Sequence, residues 1–172
     1  TLAQRELLSV ARQSAARSVA LRKASEARLE VGLSNKLDVY RAQLSEEYGW
    51  GRYPNVVTSI QFERLLSASG PTAGHVKRPS DQRTPKRIAF LQCVGSRDDK
   101  HDYCSAVCCM YAAKQAVQAI EHEPDTQARV FMMDMRAFSK GYEGYYRTAQ
   151  GKYGIGYTRC RISSVKEDPA SK

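Results

Sequence analysis

The sequence predicts an α/β fold: a small parallel sheet with flanking helices, preceded by an α-helical arm. Three observations point there. After Lys86, short apolar runs of strand length alternate with runs of helical spacing. The first 46 residues are rich in Ala, Arg, Leu, Glu and Gln and contain no proline. Between these parts the composition changes around Glu47, where EYGWGRYPNVVTS is aromatic and glycine-rich and Pro54 stops any helix.

In the arm, residues 1–46, the apolar positions Leu7, Val10, Ala11, Ala15, Val19, Leu21 and Leu29 form an incomplete amphipathic stripe. Gly32 interrupts it, Ser34 or Asn35 is placed to cap a second helix, and Leu37, Val39, Tyr40 and Leu44 continue the pattern. Such a helix needs a partner surface to bury its stripe. Residues 59–67 predict a short helix with Ile60, Phe62, Leu65 and Leu66 on one side. The following stretch, SGPTAGHVKRPSDQRTPK, has three prolines and two glycines. A loop of that length is expected either to bind something or to insert between layers. Then come a strand over 87–94 (RIAFLQCV), a helix over 104–122, a strand over 129–135 (RVFMMDM), a helix over 141–152 and a strand over 155–165. The order β-α-β-α-β argues for parallel strands with helices packed against them. No GxGxxG is present, so the sheet is expected to be an incomplete dinucleotide-binding one.

The composition, 42% hydrophobic and 26% charged, is that of a globular chain. No apolar run approaches the roughly 20 residues that cross a bilayer, so no membrane span is expected. Arg5, Glu6, Arg12 and Arg17 punctuate the first twenty residues, unlike a secretory signal, and the cysteine-bearing part is read as cytoplasmic. The net charge of +9 comes from 27 Lys and Arg against 18 Asp and Glu. Acids and bases alternate without a block of five like charges, and no nucleic-acid motif accompanies them. The basic balance therefore reads as a solvated surface, with no nucleic-acid partner.

Four of the five cysteines crowd into QCVGSRDDKHDYCSAVCCMYAAKQA, residues 92–116. Cys93 is expected at the end of the first strand. If the helix starts at Cys104, then Cys104 and Cys108 share a face, and Cys109 lies about 100° round from Cys108. A helix start also offers unpaired N–H groups to an anionic group. Four thiolates suit zinc or an iron–sulfur cluster. Adjacent cysteines are awkward for one compact tetrahedral ion and suit a cube, whose irons are spread over a larger body. Buried apolar cysteines, or a redox-active Cys108–Cys109 pair, are the metal-free alternatives. A zinc-stabilised or metal-free interaction scaffold remains open at this point.

Two resemblances bear on these readings. The strings YPNVVTSIQFERLLSASGPTAGHVKRPSD, PKRIAFLQCVGSRD, YCSAVCCMYAAKQA, MDMRAFSKGYEGYY and ISSVKEDP resemble the A subunit of heterodisulfide reductase, an iron–sulfur flavoprotein. This likeness covers residues 47–172. It implies an incomplete Rossmann-like, thioredoxin-reductase-like sheet, with Cys93, Cys104, Cys108 and Cys109 binding one 4Fe–4S cluster beside an FAD. It also implies electron transfer with disulfide-reducing and hydrogenase or dehydrogenase proteins as partners. Residues 1–46 more loosely resemble TolC-like outer-membrane efflux proteins, through Arg28, Gly32 and LDVYRAQ at 37–43.

The first resemblance places Lys114 and Glu63 near the flavin. There a cation would stabilise an anionic reduced ring, and Glu63 would be its ionic partner. Plain surface charge is the alternative for both. Cys160 is read as an incidental thiol, and His75 and His101 as solvent-facing. Arg136, Lys140 and Tyr142, in RAFSKGY, are candidates to line the same interface. The family protein is longer, and neither its FAD pyrophosphate loop nor its ferredoxin-type cysteine runs are found here. The chain is therefore expected to be a truncated piece joined to the efflux-like helix, binding FAD poorly and not turning over alone.

Overall fold

A computed structural model describes residues 16–17, 19–30, 43–44, 46–99 and 101–168. Two compact units separate: Val57–Ile162, and one built from the described residues of Thr1–Val56 and Ser163–Lys172.

In the latter unit, residues 19–30 are helical. Arg22 pairs with Glu26 one turn on at 3.1 Å and also with Glu46. The expected stripe is only partly buried there, since Leu21 is 56% exposed. The remaining stripe positions Leu7 to Ala15 and Leu37 to Tyr40, together with Gly32, Ser34, Asn35 and all of the LDVYRAQ segment but Gln43, lie outside the described residues. Gly49 turns the chain at φ +74° over the Tyr53 ring, where an added Cβ would sit 2.1 Å from a ring carbon. Only glycine fits there. The Val165 N–H donates to the Glu47 carbonyl at 2.9 Å.

The larger unit begins with α1, Ser59–Leu66. Thr58 and Gln61 form a reciprocal capping box: the Gln61 N–H reaches Thr58 Oγ1 at 3.3 Å, and the Thr58 N–H reaches Gln61 Oε1 at 2.8 Å. Phe62 and Leu66 are buried, but Ile60 is 82% exposed, against its expected place on the inner face. Residue 60 stands two positions from 62, about 200° round a helix, so both cannot face the same way.

The long loop after α1 inserts into the core rather than staying outside. Val76 is 1% exposed, and the Gly74 carbonyl meets His122 Nδ1 at 2.6 Å.

The sheet holds three parallel strands in the order β1–β2–β3: Arg87–Leu91, Gln127–Met132 and Gly156–Arg159. Registers run Arg87↔Gln127 to Leu91↔Phe131, and Arg129↔Gly156 to Met132↔Arg159. The crossovers are α2, Cys108–His122, and α3, Tyr142–Gly151. The α/β fold and parallel order match the alternation in the sequence. α2 packs on β2 and meets both α1 and α3. Ala112, Ala113, Ala116 and Ala119 are at most 1% exposed, and their small side chains let the helix approach closely. Around them lie Phe90, Val117, Val130, Met132 and Ile155, with Phe62 edge-on to Phe90 at 5.5 Å. Among the described residues no helix is long and apolar enough to cross a membrane.

β2 runs Gln127–Met132 rather than over the expected 129–135, and three further element ends differ for local reasons. β1 stops at Leu91 because Cys93 takes φ +60°, which breaks the extended backbone after one last bond from the Gln92 N–H to Phe131. α2 starts at Cys108, not Cys104, because Ala106 sits at φ +61° and a right-handed helix cannot run through it. β3 ends at Arg159 because its neighbour β2 ends at Met132, and the Cys160 N–H makes the last bond, to Met132, at 2.7 Å.

Candidate metal centre

The four cysteines lie where β1 feeds α2. Cys93, 8% exposed, follows the strand at left-handed φ. The loop then tightens: Arg97 N–H donates to the Tyr103 carbonyl at 3.2 Å, and the His101 N–H reaches Asp98 Oδ1 at 2.7 Å. Three of the five non-glycine residues at positive φ among the described residues, Cys93, Arg97 and Ala106, fall in this one loop. Each such conformation costs about 1–2 kcal/mol. That concentration is what a loop shaped around a site looks like.

Cys104 precedes the helix in irregular backbone, so it is not one turn before Cys108 on a common helical face. Its Sγ accepts the Ala106 N–H at 3.3 Å. Cys108 and Cys109 are the first two residues of α2, and Val107 makes no side-chain cap, so no side chain of the capping residue takes up the N–H groups of the helix start. Cys109 is 2% exposed, with its Sγ 3.7 Å from the Asp134 carbonyl. All five cysteines are free thiols.

These sulfurs act on one another. The Cys109 thiol hydrogen-bonds to Cys108 and lowers it to about 7, against burial and the charges of Cys93 and Cys104. The same bond, together with burial, pushes Cys109 up. Yet among the described residues no three His, Cys, Asp or Glu side chains converge where a single ion would be held.

Beside the thiols stand two guanidiniums that sequence reasoning did not join. Asp134 pairs with Arg97 through Oδ1 and with Arg136 through both oxygens, at 2.9 Å each. Its carboxyl is held below the ordinary range by Arg136 and then Arg97. Arg97 lies within electrostatic reach of Cys93, and Arg136 of Cys104 and Cys109. Arg97 and Asp134 stood inside the quoted CVGSRD and MDMR strings, but nothing in their spacing linked them across 37 residues.

An iron–sulfur cluster would find here four unpaired thiols, N–H groups of a helix start and nearby cations, all suited to an anionic group.

Lys114, on α2 about 7.5 Å along the axis from Cys109 at 1.5 Å per residue, forms an ion pair with Glu63 of α1. Buried Gln115 bridges the two helices, donating to Glu63 Oε2 and to the Ser59 carbonyl, each at 3.0 Å. Lys114 and then Gln115 hold the Glu63 carboxyl below the ordinary range. Glu63 also borders an open cleft of about 520 Å³ shared with Gly74, His75, Gln118 and His122. Exposed His75 lies 3.3 Å from Glu123, and His101 lies 3.4 Å from Asp98. Cys160 stands just past β3, with its Sγ 3.8 Å from the Thr158 carbonyl. The Arg136 guanidinium lies over Phe138, while Lys140 and Tyr142 are exposed.

No family model matches the chain. Curated relatives do. An iron–sulfur A subunit of the CoB–CoM heterodisulfide reductase of Methanopyrus kandleri is 57% identical over 129 residues, covering 74% of this chain and 20% of the relative. The corresponding iron–sulfur A subunit of Methanocaldococcus jannaschii is 46% identical over 155 residues, covering 87% of this chain and 24% of the relative. The chain is homologous to a segment of the heterodisulfide reductase A subunit. In Methanothermobacter marburgensis, the A subunit of the H2:CoB-CoM heterodisulfide, ferredoxin reductase is 46% identical, covering 84% of the chain and 23% of the relative. The chain thus spans between a fifth and a quarter of the length of these heterodisulfide reductase proteins. Residues 47–172 make up under three-quarters of it, so the 87% match takes in residues ahead of Glu47.

Proposed function

We propose that this chain is the cluster-bearing electron-transfer segment of a heterodisulfide-reductase-A-like oxidoreductase, with Cys93, Cys104, Cys108 and Cys109 as ligands of one 4Fe–4S cluster. The observation that carries this reading is the set of four free thiols along the segment that leads from β1 into α2, with Cys108 interacting with each of the other three, in a chain up to 57% identical to proteins named as iron–sulfur A subunits. When bound, the cluster supplies one-electron transfer. The chain's own part is to hold four thiolates together, keep Cys93 and Cys109 away from water and surround the site with cations. Lys114, fixed by Glu63, would offer a positive charge to an FAD bound in the full-length protein.

The relatives named for H2 or formate as donor support other redox proteins as partners. Five unpaired thiols suit a reducing, cytoplasmic compartment. We take residues 47–172 as the functional segment and residues 1–46 as an arm whose later part shares the match to the relatives.

Anaerobic purification followed by iron, sulfide and zinc analysis tests the reading. A brown protein with about four irons and four sulfides per chain is expected for a single cubane cluster. A colourless protein with one zinc, or with no metal after anaerobic reconstitution, overturns it.

A further inference from the structure

The Asp134 carboxylate receives two guanidiniums at once, and its own backbone carbonyl touches a proposed ligand. Arg136 grips it as a fork, Nε to Oδ1 and Nη2 to Oδ2, both at 2.9 Å, and Arg97 shares Oδ1. The Asp134 carbonyl lies 3.7 Å from Cys109 Sγ, and the Arg136 backbone N–H reaches the same sulfur. Arg161 braces the far side, donating to the Arg97 carbonyl at 2.6 Å. The two clamped guanidiniums repel each other, and the side chains of Arg97 and Arg136 are only 20% and 34% exposed. Without the shared carboxylate, both would relax toward solvent. One carboxylate against two guanidiniums leaves one net positive charge beside Cys93, Cys104 and Cys109.

Resting on the function proposed above, we propose that Asp134 is a positioning residue that clamps Arg97 and Arg136 against the four-cysteine site and thereby raises the reduction potential of the centre it holds. The physical ground is charge. Uptake of one electron, with no proton, adds one unit of negative charge at the site. A fixed neighbouring cation favours that form over the oxidised one.

The sign of one substitution separates positioning from simple charge. Asp134→Asn deletes a negative charge, which by itself would raise the potential. If Asp134 acts by holding the arginines, their release outweighs that and the potential falls. The test is an anaerobic, EPR-monitored redox titration of the full chain carrying its cluster. Asp134→Asn and Arg136→Gln are each expected to shift the oxidised-to-reduced ratio about tenfold toward oxidised, which is 59 mV downward for a one-electron couple. Arg136→Lys, keeping the charge without the fork, should recover part of the loss. An Asp134→Asn potential that is unchanged or raised overturns the proposal while leaving the cluster assignment standing. Should Asp134→Asn fail to fold, an unchanged potential in Arg136→Gln overturns it equally. A wild-type chain that takes up no cluster removes the assignment and this inference together.

Discussion

Gln115→Met tests whether α1 is tied to the cysteine helix by one buried amide. Gln115 is 3% exposed, and its Nε2 donates both to the Ser59 carbonyl and to Glu63 Oε2 at 3.0 Å. Methionine keeps the length and volume of the side chain but donates nothing. The bond to the carbonyl contributes about 0.5–1.5 kcal/mol, and the charge-assisted one about 1.5–3 kcal/mol. Some of the second is recovered, because Glu63 is 44% exposed and keeps Lys114 and water. The expected loss is therefore about 2–3 kcal/mol, a large part of the 5–15 kcal/mol typical of a domain. Urea unfolding followed by far-UV circular dichroism measures it, because α1, α2 and α3 dominate the helical signal of their unit. The same change in a Glu63→Gln background isolates the bond to the carboxylate, with a coupling of about 1 kcal/mol expected. A loss below about 0.5 kcal/mol, or no coupling, would refute the claim that this amide joins the two helices.

Other outcomes follow from the same geometry. Because Lys114 and Gln115 hold the Glu63 carboxyl below its ordinary value, the folded chain binds fewer protons than the unfolded one as pH falls through that range. Stability from Glu63 is thus fully present above the unfolded pKa and is lost as pH drops through the folded one. Glu63→Gln should flatten the acid limb of the urea midpoint below about pH 4.3 and leave its slope near pH 7 alone. Replacing Cys93, Cys104, Cys108 or Cys109 by Ser should each cost most of the iron and sulfide bound after anaerobic reconstitution, while Cys160→Ser keeps full content. Val76→Ala, at a 1% exposed position, should cost about 2 kcal/mol in the same urea assay, and should make the loop between α1 and β1 cleavable by trypsin after Lys77, while the Arg78–Pro79 bond resists.

Much of this chain was legible as a string. The alternation after Lys86 announced three parallel strands and two crossover helices, because strand and helix periods differ and parallel strands need crossovers. The crowding of Cys93, Cys104, Cys108 and Cys109 announced a thiolate site from residue type alone. Lys114 and Glu63 were matched by charge, and the fold brings them into contact. What sequence could not give was local backbone handedness and long-range pairing. Alanine is the best helix former, so Ala106 read as helix, yet it takes a left-handed conformation and sets Cys104 outside α2. Asp134 looked like one acid among many until folding brought Arg97 to it across 37 residues. Residue types and their periods determine which chemistry the chain carries and the order of its elements. Only packing the loop after β1 against the end of β2 decided which charges surround the sulfurs, because electrostatic interaction depends on distance in space and not along the chain.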